Sequence, residues 1–140
     1  MQRTLRQVLR AEAQAIAIYT AEIYWVKKPA RRAALLKIRD EELEHQNNLA
    51  PYSPALRVSL DLDRFSGLIL GTLLSLLPWR ALCAVQSWAE NEAAQIYARA
   101  EKTLRVCSGD LPAGLLEKLQ AAEQQELAHS QFFQGPARNL

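Results

Sequence analysis

The sequence predicts an all-α protein with one domain, residues 1–140, built as a four-helix bundle with an additional apolar helix in the crossover between helices two and three. The first observation is composition: the 140 residues include only 5 Gly and 6 Pro, and Ala, Leu, Glu, Gln and Arg fill long stretches, as is typical of helices. The second is that three short segments rich in Pro or Gly divide the chain. The third is that apolar residues between these segments recur at the spacing of a helix buried along one face.

The dividing segments set the boundaries of the predicted bundle helices. Proline is excluded from helix interiors and glycine ends helices, and the segments are "KKP" at 27–29, "PYSP" at 51–54 and "SGDLP" at 108–112. We predict helices from about Gln2 to Val26, Ala30 to Leu49, Trp79 to Val106 and Pro112 to Phe133. Asp110 is the predicted N-cap of the last helix, because its carboxylate can accept hydrogen bonds from the first N–H groups.

An apolar run from Leu68 to Leu77 lies between the second and third bundle helices. At about 10 to 12 residues it is too short to cross a bilayer, which takes about 20. Two interpretations stay open: a helix that lies across the bundle as extra core, or one that dips into one leaflet or lines the entrance of an apolar substrate. In the second, the residues that face substrate or membrane are Leu68, Leu70, Leu73, Leu74 and Leu77.

The charge of the chain argues against nucleic acid as a partner. The formal net charge is +2, with no long basic face. The densest basic group consists of Lys27, Lys28, Arg31 and Arg32. We interpret it as a solvated helix junction, with a lipid headgroup site as the alternative.

The two cysteines fit a reducing compartment. Cys83 and Cys107 fall on one predicted helix, about 36 Å apart at 1.5 Å per residue, so they cannot bridge each other. No signal peptide opens the chain. We therefore expect a cytoplasmic protein.

Acidic side chains fall on the predicted core face of every bundle helix, together with both histidines of the chain. These residues are Glu12, Glu42 and His45, Glu90, and Glu126 and His129. A lone ionised carboxylate in a core is strongly destabilising or becomes protonated, whereas two divalent cations would neutralise four carboxylates. Each histidine follows a glutamate by three positions, which points both side chains the same way. This is the ligand set of a di-iron or di-manganese carboxylate bundle.

Neighbouring acidic residues are weaker candidates. Glu41 and Glu44 flank the histidine motif and are predicted to face water, as is Glu123. Glu90 is preferred to Glu92, because the helical face of Glu92 is more polar. The alternative to a metal site is that the helix phases have drifted and the glutamates lie on the surface.

Three further residues lie close to the predicted site. Tyr19 and Tyr97 are more often core residues than redox relays, yet both fall beside the candidate ligands, where they can support them. Glu22 can also stand behind the ligands, although its neighbour Ile23 fits the core as well.

Carboxylate-rich oxygen and nitrogen ligation suits iron, with manganese as the alternative, better than zinc. Two ferrous ions can deliver two electrons to O2, which leads to hydroxylation, oxidation of a small molecule or peroxide reduction. The sequence therefore predicts two iron ions as cofactors and O2 as a substrate.

With these residues in place, the chain resembles the demethoxyubiquinone hydroxylase family of the ferritin-like superfamily, from about Leu5 to Phe133. The motifs that carry the resemblance are "EAQAIAIY" with Glu12 and Tyr19, "EELEH" with Glu42 and His45, "SGLILGTLLSLL", "AVQSWAENEAAQIY" with Glu90 and Tyr97, and "EQQELAH" with Glu126 and His129. The resemblance implies a ferritin-like fold, a quinone-like hydrophobic substrate of ubiquinone biosynthesis, and peripheral contact with the inner face of a membrane.

Three departures from the family concern the substrate rather than the ligands. Ile96 stands where the family has a histidine before its tyrosine, the connection after helix two is shorter, and the chain stops soon after the fourth ligand helix. We expect a divergent relative.

We expect a di-iron monooxygenase that hydroxylates a hydrophobic aromatic or quinone-type substrate. The alternatives are a rubrerythrin-like di-iron oxidase or peroxidase, and a metal-free helical interaction protein. An apolar surface on so small a bundle also favours a homo-oligomer.

Overall fold

The computed structural model describes residues 1–53, 57–107 and 111–140, and these residues contain five α-helices and two 3-10 helices. The α-helices are α1 (Gln2–Trp25), α2 (Pro29–Leu49), α3 (Arg57–Leu74), α4 (Trp79–Cys107) and α5 (Leu115–Gln134). The 3-10 helices span Ala50–Tyr52 and Pro136–Asn139. The predicted all-α fold is confirmed.

Four of the helices form the bundle. α1 packs against α2 and α4, and α5 packs against α4 and α2, so the four close into a ring. A short connection, Val26 to Lys28, makes α1 and α2 an antiparallel hairpin. α3 packs against α1 on the outside of the ring.

The start of α5 differs from the predicted boundary. The helix begins at Leu115 rather than Pro112, and its N-cap is Gly114 with a φ of 77°. This left-handed conformation favours glycine, which has no Cβ to clash, and composition alone does not reveal it. The predicted cap Asp110 lies outside the described residues.

The crossover helix is longer than the apolar run that predicts it. α3 begins at Arg57 and ends at Leu74, so Leu77 lies beyond it. Its polar first half is held against α1, where Arg10 Nε lies 2.8 Å from Asp63 Oδ2.

Two glycines let α3 approach α1 closely. A Cβ on Gly67 would lie 2.5 Å from the main-chain oxygen of Gln14, and one on Gly71 would collide with the main chain of Ile18. Away from this contact α3 exposes large apolar side chains, namely Leu62, Phe65, Leu68, Ile69, Leu70 and Leu73. Of the helices in the described ranges, none is long and apolar enough to cross a membrane.

The core consists of two apolar clusters at opposite ends of the ring. One contains Leu5, Leu49, Leu104, Leu115 and Leu119. The other contains Ile23, Leu35, Ile38, Leu82 and Phe133. The predicted ligand positions fall between the two along each bundle helix. The apolar layers therefore separate those positions from water at both ends.

Candidate metal centre

The structure brings all six predicted ligand residues together in the buried middle layer of the bundle. They are between 0 % and 5 % exposed. Two groups of side chains have ligand atoms within 4.8 Å of one another: Glu12, Glu42, His45 and Glu126 in one, and Glu42, Glu90, Glu126 and His129 in the other. Glu42 and Glu126 belong to both groups and could be shared between two ions, whereas Glu12 and Glu90 each belong to one group.

Both imidazoles turn Nδ1 toward the carboxylates. His45 Nδ1 lies 3.1 Å from Glu126 Oε1 and 3.8 Å from Glu12 Oε2. His129 Nδ1 lies 3.4 Å from both Glu42 Oε1 and Glu90 Oε2. Each group therefore combines one imidazole nitrogen with carboxylate oxygens from three helices.

The unpaired atoms of this layer show that the residues fit divalent metal ions. Although His45 Nδ1 lies 3.1 Å from Glu126 Oε1, both Nδ1 atoms, both oxygens of Glu126, Glu12 Oε2 and Glu42 Oε1 are buried and form no hydrogen bond within the described residues. Buried polar atoms are nearly always paired, and these six occur together in one small volume. Two ions of the iron or manganese type would satisfy them, since carboxylate and imidazole donors suit these metals.

The electrostatics of the metal-free cluster lead to the same conclusion. Burial raises the pKa of Glu12 well above 4.5, and the charges of Glu42 and Glu126 raise it further. Burial lowers the pKa of His45, but the carboxylates of Glu126 and Glu42 outweigh it and raise the pKa to about 11. Corresponding contacts raise the pKa of His129 to about 12. Without metal, protons supply the missing positive charge, and a metal ion would displace them.

The Nε2 atom of each histidine contacts a side chain of the other helix that carries a Glu-x-x-His motif. His45 Nε2 lies 3.1 Å from Gln125 Oε1, and His129 Nε2 lies 2.8 Å from Glu41 Oε2. A hydrogen bond donated by Nε2 leaves Nδ1 free to bind metal. The prediction that Glu41 faces water is wrong, because α2 and α5 pack closely enough for His129 to reach it. The prediction for Glu44 is confirmed: it is exposed.

The two tyrosines support the carboxylates that belong to only one group each, Glu90 and Glu12. The Tyr19 hydroxyl donates a hydrogen bond to Glu90 Oε1, and the Tyr97 hydroxyl donates to Glu12 Oε1. Each bond joins α1 to α4. The tyrosines thus orient one oxygen of each carboxylate and leave the other directed into the cluster.

A fifth buried glutamate lies outside the six. Glu22 is 0 % exposed and accepts a 2.6 Å hydrogen bond from Gln86 Nε2. Burial raises its pKa to about 8. The sequence predicts Ile23 in the core and allows Glu22 to stand behind the candidate ligands, and the structure buries both.

A cavity of about 60 Å³ adjoins the ligands between α1 and α4. Its apolar wall consists of Val8, Ala11, Ala15, Ile18, Ala89, Ala93 and Ile96. The leucines predicted to face substrate or membrane do not line it: Leu68, Leu70, Leu73 and Leu77 are exposed, and Leu74 is half-buried. α3 borders the cavity only indirectly, because Ile18 lies between the cavity and Gly71.

A helical ring with two overlapping, buried Glu/His groups at its centre, each able to hold a metal ion, is typical of a ferritin-like bundle. The chain belongs to the ubiquinone biosynthesis protein COQ7 family, whose family model matches residues 1–134. This is the demethoxyubiquinone hydroxylase family of the ferritin-like superfamily, and its members are di-iron carboxylate hydroxylases. The resemblance inferred from the motifs is therefore confirmed. No curated protein and no solved structure matched the chain.

Proposed function

We propose that the protein is a di-iron monooxygenase that hydroxylates a hydrophobic aromatic or quinone-type ring in ubiquinone biosynthesis. The observation that carries the proposal is the convergence of six buried ligand side chains with unpaired donor atoms beside an apolar cavity. Membership of the hydroxylase family supports the reaction class. Manganese is the alternative metal, since the same donors suit it.

The proposed reaction converts a ring C–H bond to C–OH with one atom of O2, and the other atom leaves as water. An external reductant supplies two electrons and two protons. When bound, two ferrous ions supply the redox chemistry for O2 reduction. The chain itself positions the carboxylates through Tyr19 and Tyr97 and keeps water out with the two apolar clusters.

The cavity favours an approach of the substrate between α1 and α4. Val8 and Ile96 line both the inner cavity and a wider groove that continues along the same two helices. Small side chains such as Ala93 leave room next to the carboxylates. Ile96 contributes to the apolar wall of the inner cavity, which suits a hydrocarbon-rich ring.

The exposed face of α3 supports peripheral contact with a membrane, from which such a substrate would come. Phe65 and Leu73 are 63 % and 57 % exposed, and an apolar patch of this kind is typical of an interaction site. We place the protein in the cytoplasm at the inner face of a membrane. Self-association through the same face stays a prediction.

Iron analysis tests the metal centre. Protein purified anaerobically with ferrous iron should contain about two irons per chain. Glu126→Ala should lose nearly all of the iron, because Glu126 belongs to both groups, whereas Glu12→Ala should retain about half. Glu44→Ala is the matched surface control and should keep the full content. Fewer than about one iron per chain in the unaltered protein would exclude the enzyme and favour a metal-free interaction protein.

Product analysis tests the reaction. Iron-loaded protein with reductant and ¹⁸O2 should introduce one labelled oxygen into a demethoxyquinone. Consumption of O2 or peroxide without a hydroxylated ring would instead support a rubrerythrin-like oxidase or peroxidase.

A further inference from the structure

A second cavity, of about 210 Å³, lies where α1 passes into α2 and shares no lining residue with the cavity beside the candidate ligands. Its basic wall is formed by Lys27, Lys28 and Arg31. Its apolar wall includes Trp25, Leu77 and Trp79. No aspartate or glutamate lines it among the described residues, so the chain supplies positive charge here without its counterpart.

Among the described residues the basic side chains of this junction have no acidic side chain as partner, and Lys28 Nζ donates a 3.3 Å hydrogen bond to the main-chain oxygen of Leu140. Within residues 1–53, 57–107 and 111–140, no aspartate or glutamate forms a salt bridge with Lys27, Lys28, Arg31 or Arg32. The Arg31 guanidinium stacks 4.8 Å from the Trp79 ring centroid, and its buried Nε has no hydrogen-bond partner among the described residues.

The N-terminus of α2 also favours an anion in this cavity. The first turn of α2 contains no acidic residue, although acidic side chains are favoured at the positive end of a helix. Arg31 and Arg32 near this end instead add to the positive potential. An anion held by the lysines would relieve the repulsion and accept hydrogen bonds from unpaired donors.

The exposed end of the crossover segment adjoins the same cavity. Leu73, Leu76 and Trp25 are 57 %, 78 % and 52 % exposed, and Leu77, which lines the cavity, is also exposed. If these side chains enter the acyl region of a leaflet, the lysines lie at the level of the headgroups. Tryptophan and lysine are the residues enriched at that depth.

We propose that this cavity binds the phosphate of an anionic phospholipid while the exposed face of α3 rests in the membrane. The inference rests on the membrane contact proposed above and adds a defined headgroup site to it. A second copy of the chain could cover the apolar face but would bring the same basic residues. An anionic membrane supplies both the apolar phase and the counter-charge.

Vesicle binding tests the site. Iron-loaded protein is mixed with vesicles of phosphatidylcholine alone or with 30 % phosphatidylglycerol, and the bound fraction is measured by flotation. We expect binding to both, at least about tenfold stronger to the anionic vesicles, and weakened by 0.5 M NaCl. The double variant K27E/K28E should lose most of this preference without losing its binding to phosphatidylcholine. An acidic residue at position 28 is also compatible with the start of α2.

The control is R6E/K102E, which makes the same change of net charge on exposed positions of α1 and α4 that do not line the cavity. It should alter anionic binding less than about twofold. An equal loss of anionic-vesicle binding in both double variants would overturn the headgroup site while leaving the membrane contact intact. The same conclusion would follow if the unaltered protein bound anionic and phosphatidylcholine vesicles equally. The variant L73S/L76S should weaken binding to both vesicle types.

Absence of binding to any vesicle would overturn both the contact and the site. A dimer in size-exclusion chromatography that L73S/L76S dissociates would then identify a second copy as the occupant of α3. Iron content and ring hydroxylation are measured on the same samples, so failure of the lipid site is distinguished from failure of the proposed enzyme.

Discussion

The two candidate histidine ligands differ in the residue that fixes each one from behind. His129 contacts the carboxylate of Glu41, whereas His45 contacts the neutral amide of Gln125. A carboxylate partner makes an imidazole a better electron donor to a metal than an amide does. The hydrogen bond to His129 and the charge of Lys37 outweigh burial and lower the pKa of Glu41, so it is ionised at neutral pH.

We expect Glu41→Gln to weaken metal binding at the group that contains His129 by about tenfold or more. The measurement is competition between the protein and a chelator of known affinity for ferrous iron. Glu44→Gln, one helical turn from Glu41 but exposed, is the control and should bind as the unaltered protein does. Unchanged affinity in Glu41→Gln would mean that the hydrogen bond does not support the metal.

Glu22 makes a separate contribution at the residue scale, because it is buried and no basic side chain of the described residues forms a salt bridge with it. Its pKa is about 4.5 in the unfolded chain and about 8 in the folded protein. Between these values only the unfolded state releases the proton, so rising pH stabilises that state. The decrease in the free energy of unfolding that Glu22 causes is absent below pH 4.5 and is complete near pH 8.

In the unaltered protein, Glu22 should lower the free energy of unfolding by about 1.4 kcal/mol per pH unit as the pH rises from 5 to 8. In Glu22→Gln this decrease should be absent. The glutamine can still accept the hydrogen bond from Gln86. Urea unfolding of metal-free protein at several pH values measures the effect. Parallel curves for the variant and the unaltered protein would show that Glu22 titrates normally.

At the scale of single helices, the packing of α3 on α1 depends on Gly67 and Gly71. Alanine normally stabilises a helix relative to glycine by about 1 kcal/mol. At position 71 the added methyl group would meet the main chain of Ile18, and main-chain atoms cannot move aside cheaply. Packing therefore opposes helix propensity at this position.

We expect Gly71→Ala to destabilise the protein by about 1 to 3 kcal/mol despite its better helix propensity. Ile69→Ala on the exposed face of the same helix should change stability little. Thermal unfolding followed by circular dichroism compares the two. A higher melting temperature for Gly71→Ala would contradict the close approach.

The helices differ in how far the sequence predicts them. The bundle helices and the burial of all six candidate ligands follow from apolar periodicity and the i, i+3 spacing, because these residues share one face of a helix with the core. Glu41 lies beside that face, and its contact with His129 depends on the distance between α2 and α5. The start of α5 depends on one backbone angle at Gly114, and the polar first half of α3 depends on Arg10, which is remote in sequence.

At the scale of the whole molecule, the cluster links all four helices of the ring. Metal binding should therefore stabilise the entire bundle. Saturation with Mn²⁺ at about a thousand times its dissociation constant is expected to raise the melting temperature by on the order of 10 °C. Glu126→Ala should show almost no rise, and a rise equal to that of the unaltered protein would place the bound ion elsewhere.

The division between ring and crossover has a consequence for how this fold can diversify. Among the described residues α3 contributes no side chain to the candidate metal site, and Gly67 and Gly71 are buried where it meets α1. The exposed residues of α3 can therefore change during evolution while the candidate ligands stay the same. Such changes would alter the surface that contacts a membrane or a partner. Relatives with the same ligand residues can then work in different cellular surroundings.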